Sequence, residues 1–299
     1  MGGLYVLSRA FPPYLRCMTL SPGLQRIPVS GGSLAVEVLA GTTEPVLAIH
    51  GISSHRKLWN WLKAESPDLT LVAPDLRGRA DSFEVAGTST VPQHADDMIA
   101  VLDALGLDRV HVIGMSMGGF IAVELATRVP ERIKSLVLID GGFPMVKPAG
   151  LTEDKVEAVF ADRLARLGRS WEPEEFAEFF TTSTAPMLDP SDPLLRDYLA
   201  LDLASDGTVR LAGEALVTDF VSVFFADSPW ESLTQPVRFS HAEFATGEGT
   251  APAYPLENVE RYATVCTDVR FVPGVDHAGS IMTKAGAVVA ADLLAEALR

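Results

Sequence analysis

The sequence predicts an α/β protein: a mostly parallel sheet with helices on both faces and a helical cap inserted late in the chain. Three observations carry this. From residue 45 to 139, short apolar runs alternate with stretches of helical periodicity. Four polar residues, His50, Asp75, Ser116 and Asp140, fall where those strands end, and open parallel sheets bind ligands at the carboxyl ends of their strands. The rhythm then breaks at Phe143 and returns at Val237.

The first strands, Gln25 to Val29 and Ser33 to Leu39, alternate in polarity, and Ser30-Gly31-Gly32 joins them as a hairpin turn. Pro45 to His50 is continuously apolar, as in a strand covered on both faces. A helical stretch around Arg56 to Ala64 precedes the buried strand Leu69 to Ala73, which ends in Pro74-Asp75-Leu76-Arg77-Gly78-Arg79. In Gln93 to Leu105 the apolar residues Met98, Val101, Leu102 and Leu105 recur at helical spacing, and Gly106 stops the helix. Val110 to Ile113 is a strand, Phe120 to Val129 its following helix, and Leu136 to Ile139 the next strand.

Beyond Phe143 the chain is helical but punctuated by Pro144, Pro148, Pro173, Pro186, Pro190 and Pro193, with helices at Val156 to Leu167 and Glu174 to Phe180. Large apolar side chains such as Trp171, Tyr198, Phe220 and Phe224 enrich it. It reads as a cap over the sheet edge, most of its aromatics packed and a few facing a pocket. Val237 to Ser240 and Val269 to Val272 bring the strands to eight, and helices at Leu256 to Ala263 and Lys284 to Leu298 close the chain. Residues 1–142 and 234–299 form the core domain and 143–233 the cap.

The 299 residues, 47% hydrophobic, are enough for one large core, and 21% charged residues exclude a disordered composition. A net charge of −15 with no Lys/Arg cluster excludes nucleic acid as a partner and disfavours anionic substrates. Cys17 and Cys266 sit at opposite ends of the chain, without metal-ligand spacing; they predict no disulfide framework and fit a reducing, cytoplasmic compartment. Met1 to Gly23 lacks a basic start and is interrupted by Arg9, Pro12, Pro13 and Arg16. It reads as a leader that packs on the domain or frays, with Met18 an alternative start, and as neither signal peptide nor membrane span. Val6 stands where a myristoylation signal wants Ser or Thr.

The chemistry centres on Val110-His111-Val112-Ile113-Gly114-Met115-Ser116-Met117-Gly118-Gly119. Gly-x-Ser-x-Gly between a strand and a helix is the setting of a nucleophile elbow. A serine on so sharp a turn leaves no room for Cβ atoms two residues either side. Taken alone, the pattern also fits a glycine-rich turn with a buried serine. Serine needs a base to take its proton. His277 occupies the loop between the last strand and last helix, where the base belongs in the order nucleophile, acid, histidine. His241 is the second choice; His111 reads as structural, and His55 and His94 as surface or helix-start residues. An oxyanion site needs two backbone donors. The Met117 N–H supplies one and the Ile52 N–H, after the tight turn at Gly51, the other.

His50-Gly51, Asp75-Leu76-Arg77-Gly78-Arg79, Gly114-x-Ser116-x-Gly118-Gly119 and Asp276-His277 together resemble the α/β-hydrolase superfamily, in its esterase/lipase and cofactor-free haloperoxidase-like branch. The resemblance covers Pro45 to Asp140 and Val237 to the C-terminus. It implies a Ser-His-acid triad working without cofactor or metal. Most such families take the acid after the strand that is here Val237 to Ser240, but the usual Gly-x-x-Asp is missing and that loop offers only Glu243 and Glu248. Some members take it from the end of the preceding strand, which here is Asp140. A short acid held by a strand orients a histidine better than a glutamate on a Gly/Pro-rich loop, which favours Asp140 over Glu243 and Glu248. Asp140-Gly141-Gly142 also fits a simple turn cap. Asp75 is expected to brace its own loop through Arg77 or Arg79, and Asp276 to fix backbone shape beside His277.

The leading function is a serine hydrolase cleaving a carboxylic ester or lactone through an acyl-enzyme. C–C bond hydrolysis or perhydrolysis would use the same triad. A non-catalytic ligand receptor on this scaffold is the reading from another class. Dehalogenase and epoxide hydrolase chemistry is disfavoured, because those relatives carry aspartate where Ser116 stands. The expected partner is a small, largely apolar and uncharged acyl compound; the sequence leaves the oligomeric state open.

Overall fold

The structure, a computed structural model, describes residues 20–147 and 150–299. Most of the leader, with Cys17 and Val6, lies outside the described residues. Eight strands form one sheet in the order β1-β2-β4-β3-β5-β6-β7-β8. They are β1 (Gly23–Val29), β2 (Gly32–Leu39), β3 (Pro45–Ile49), β4 (Thr70–Pro74), β5 (Val110–Met115), β6 (Ile133–Ile139), β7 (Val237–Ala242) and β8 (Asp268–Val272). β2 runs antiparallel to both its neighbours, and every pairing from β4 to β8 is parallel. The five residues of β4 and the six of β5 are all buried, as their unbroken apolar runs require when helices cover both faces.

The first helices are α1 (Asn60–Glu65), α2 (Val91–Ala104) and α3 (Met117–Arg128). α2 begins where the Thr90 hydroxyl accepts the Gln93 N–H, with Pro92 in its first turn. Between β6 and β7 lie α4 (Val156–Leu167), α5 (Pro173–Phe179), α6 (Pro193–Asp202) and α7 (Gly213–Phe225). After β7 come α8 (Leu256–Ala263), the short α9 (Gly279–Met282) and α10 (Lys284–Ala297). One face of the sheet packs with α2, α3 and α8 around Leu47, Val112, Phe120 and Phe239. The other packs with α1 and α10, and the same cluster takes in Trp171, Phe176 and Tyr198 from the segment between β6 and β7.

That segment is tied down at two places. Tyr198 stacks on His55 at 4.1 Å and reaches the Ser54 hydroxyl at 3.0 Å, while Lys57 and Asn60 both bond Asp197. On the other side, α7 sends Asp219 into a buried cluster with Arg79, Ser89 and His94. Among the described residues, no helix is long and apolar enough to cross a membrane.

Three local expectations are corrected. Asp75 braces its loop through neither Arg77 nor Arg79. It accepts the Arg56 N–H at 2.8 Å, pairs with the Arg56 guanidinium, and takes the Asp81 N–H at 3.2 Å. Arg77 instead pairs with Asp97 of α2 at 2.7 Å, and Arg79 with Asp219 at 2.5 Å. Adjacent positions in a tight loop point apart, so each arginine meets a carboxylate supplied by another element. His55 and His94 do begin helical turns but are fully buried rather than at the surface.

Candidate active site

The turn after β5 holds Ser116 at φ 54°, ψ −123°, a strained backbone for a residue with a side chain. Two observations show why glycines surround it. A Cβ on Gly118 would lie 1.9 Å from the Ile49 carbonyl oxygen, and one on Gly141 would lie 2.2 Å from the Ser116 carbonyl oxygen. The elbow is therefore wedged between the ends of β3 and β6. Its register is held by the Ser116 N–H, which donates to the Ile139 carbonyl at 3.0 Å. α3 starts at once, at Met117 rather than at Phe120 as the sequence predicts; Gly118 and Gly119 are weak helix formers and obscure the true start.

The two backbone donors line the same cavity as Ser116. Among the described residues, neither the Ile52 N–H nor the Met117 N–H is taken by a hydrogen bond. The Met117 donor lies at the N-terminus of a twelve-residue helix, where unpaired N–H groups favour negative charge. The Ile52 loop is fixed from behind. Arg79 donates to the Ile52 carbonyl through Nε at 3.0 Å and Nη2 at 2.8 Å. His50 donates from Nδ1 to the Gly51 carbonyl at 2.7 Å and accepts the Leu76 N–H on Nε2 at 2.9 Å. Those two bonds require the neutral ring, and burial pushes its pKa down to about 3. Sequence reasoning gave His50 and Arg79 no such role. The Arg79–Ile52 and His50–Leu76 bonds join residues 27 and 26 positions apart, and only the placement of His50 at a strand end hinted at it.

Asp140 ends β6 at φ 42° and is almost fully buried. Its Oδ1 accepts the Ala242 N–H at 3.0 Å, and its Oδ2 meets His277 Nδ1 at 2.6 Å. The other two acids weighed from the sequence are elsewhere. Glu243 caps the Gly274 N–H at 2.7 Å, and Glu248 is exposed. Asp276 fixes backbone shape, accepting the Gly279 and Gly247 N–H groups at 2.9 and 3.0 Å. His241 ends β7 between Phe239 and Phe271 and does not line the cavity. His111 is held between Ser135 and Glu44.

Ser116 and His277 line one cavity of about 350 Å³. Among the described residues, no hydrogen bond joins them; such bonds commonly tighten only once substrate is bound. Burial alone would lower the His277 pKa, but its hydrogen bond to Asp140 and the charges of Asp140 and Asp276 raise it above the ordinary 6.5. Apolar walls come from Met145, Phe160, Leu216, Phe220, Val223 and Phe224, largely from the segment between β6 and β7. The arrangement can deprotonate a serine, stabilise the resulting imidazolium and hold an oxyanion at two N–H groups.

Residues 44–189 match the family model described as alpha/beta hydrolase fold. An uncharacterized protein of Mycobacterium tuberculosis is 34% identical over 147 residues, which cover 49% of this chain and 40% of that one. A lipase of the same organism, LipV, is 37% identical over 95 residues, covering 32% and 36%. These matches thus span well under two thirds of either relative. A hypothetical protein of Pseudomonas aeruginosa, known by its crystal structure, superposes with a TM-score of 0.71 at 25% identity, over 92% of this chain and 98% of its own. With its strand order, its strained elbow and these matches, the chain has the α/β-hydrolase fold.

Proposed function

We propose that the chain is a serine hydrolase acting on a carboxylic ester, with Ser116 as nucleophile, His277 as base, Asp140 as the acid that orients it, and Ile52 and Met117 as oxyanion donors. Residues 143–233 serve as its cap. The observation that supports this most is the 2.6 Å contact of His277 Nδ1 with Asp140 Oδ2, on a histidine that shares its cavity with the strained serine.

In this reading His277 Nε2 takes the Ser116 proton as Oγ attacks the carbonyl. The oxyanion forms against the two N–H groups. The imidazolium then protonates the leaving alcohol, and a water activated by the same ring frees the acid from the acyl-enzyme. Asp140, with one oxygen already held by Ala242, keeps the Nδ1–H tautomer in place throughout.

The test is hydrolysis of p-nitrophenyl butyrate by the wild-type chain and by Ser116→Ala. Turnover that falls on the order of 10⁵-fold or more in the variant supports the reading; turnover that survives removal of the hydroxyl contradicts it. The raised His277 pKa adds a second expectation. The base works only when neutral, so the acid limb of kcat/KM should lie above pH 6.5. A pH–rate profile on the same ester checks this, and a limb at or below 6.5 would contradict the assigned partner.

A further inference from the structure

One charged group on the cavity wall has no part in the chemistry above. Among the described residues, Arg163, on α4, is the only lysine or arginine lining the cavity that holds Ser116 and His277. It is half-buried. Among the described residues it is the one arginine so buried that neither donates a hydrogen bond nor lies within 4.0 Å of a carboxylate. The buried arginines 56, 77 and 79 each meet an aspartate instead. Burial lowers the Arg163 pKa from its ordinary 12.5, against the opposing influence of Tyr198 and Asp202.

The position of Arg163 is specific. Ser53, Arg163, Phe180, Thr184 and Thr246 line both the catalytic cavity and a neighbouring one of about 410 Å³. They therefore form the wall between the two. Three hydroxyl groups thus stand on the same wall as the cation, whereas Met145, Phe220 and Phe224 line the catalytic cavity away from that wall. Asp202, the acid that senses Arg163, is 3.5 Å from His55 Nε2. An unpaired guanidinium taken partly out of water is costly unless a ligand supplies the counter-charge. A single cation balances a single carboxylate, which a guanidinium can hold through two parallel bonds. A phosphate dianion would leave a charge unmatched in a protein of net charge −15.

We propose that Arg163 docks a carboxylate carried by the substrate, so that the preferred substrates are esters bearing one free carboxyl group rather than wholly uncharged esters. This rests on the serine-hydrolase reading and revises the uncharged substrate that the composition predicts. The apolar wall then receives the hydrocarbon between the carboxylate and the scissile bond.

Two ester pairs test it, one for each side of the bond: the mono-p-nitrophenyl ester of adipate against p-nitrophenyl hexanoate, and 4-carboxyphenyl hexanoate against 4-carbamoylphenyl hexanoate. Wild type should favour the charged member of at least one pair by about 10-fold or more in kcat/KM. Arg163→Gln should lose about 10–100-fold on that ester, mainly through KM, with the neutral ester changed less than about 3-fold. Arg163→Lys should recover part of the loss. Adipate binding to the Ser116→Ala chain, followed by calorimetry with and without Arg163→Gln, reports on the cation without any turnover. If no ester is hydrolysed but adipate binding falls at least about 10-fold in Arg163→Gln, the hydrolase reading fails and the carboxylate site stands. If wild type shows no charge preference, or Arg163→Gln weakens charged and neutral esters alike while lowering Tm, Arg163 is a structural partner of Asp202 and the proposal is overturned.

Discussion

Asp140→Asn is expected to lower kcat by about 10³–10⁴-fold while leaving the fold intact. The magnitude follows from the orientation of the amide. Asp140 Oδ1 accepts the Ala242 N–H, so an asparagine must place its carbonyl oxygen there. Its NH₂ group then faces His277 Nδ1, where Oδ2 now sits at 2.6 Å. A donor at that point makes Nδ1 an acceptor and puts the ring proton on Nε2, where the base needs a lone pair. The same change removes a carboxylate that raises the His277 pKa, so the acid limb of the residual activity should move to lower pH. Circular dichroism and steady-state kinetics across pH separate this from misfolding. A loss under about 10-fold, or a comparable loss in Glu243→Gln, would assign the acid elsewhere.

The largest stability effect is expected at Arg79. Its guanidinium pairs with Asp219 at 2.5 Å, and both side chains are at most 1% exposed. Burial alone would raise the Asp219 carboxyl, but His94 and Arg79 beside it hold it well below the ordinary carboxylate range. Removing the arginine leaves that carboxylate buried with only Ser89 and His94. Arg79→Leu should therefore cost about 3–5 kcal/mol in urea unfolding, because an uncompensated buried charge is worse than no charge. The double variant Arg79→Leu/Asp219→Leu should recover much of the loss. Catalysis should suffer beyond the stability effect, since Arg79 also holds the Ile52 carbonyl. A cost under about 1 kcal/mol would show that the pair does not join α7 to the catalytic loops.

The sheet was legible because fully buried strands leave an unmistakable mark. The runs at Pro45, Leu69, Val110 and Leu136 are apolar at nearly every position, and each became a strand within a few residues. Helices with one clear apolar face read equally well: α4 and α8 span the residues their periodicity predicts. The prolines between Pro186 and Pro193 hid the start of α6, although Pro193 is itself a favoured first-turn residue there. Glycines required by close packing hid the start of α3.

Site residues followed a similar division. Ser116, Asp140 and His277 could be nominated because strand ends and chain order point to them. The residues that hold the site together could not. Arg79 and Asp219 are 140 positions apart, and nothing in either local sequence names its partner. Arg163 lies within the helix predicted at Val156 to Leu167, and nothing in its local sequence singles it out. Its interest comes from the cavity it faces, which exists only once α4 lies over the sheet edge.

Covalent labelling by a fluorophosphonate, followed by intact-mass and peptide mass spectrometry, tests whether His277 activates Ser116. One phosphonyl group per chain on Ser116, slowed on the order of 10³-fold or more in His277→Gln, is the result expected if that imidazole activates that hydroxyl. Labelling absent from the wild-type chain, or equally fast without His277, would contradict it.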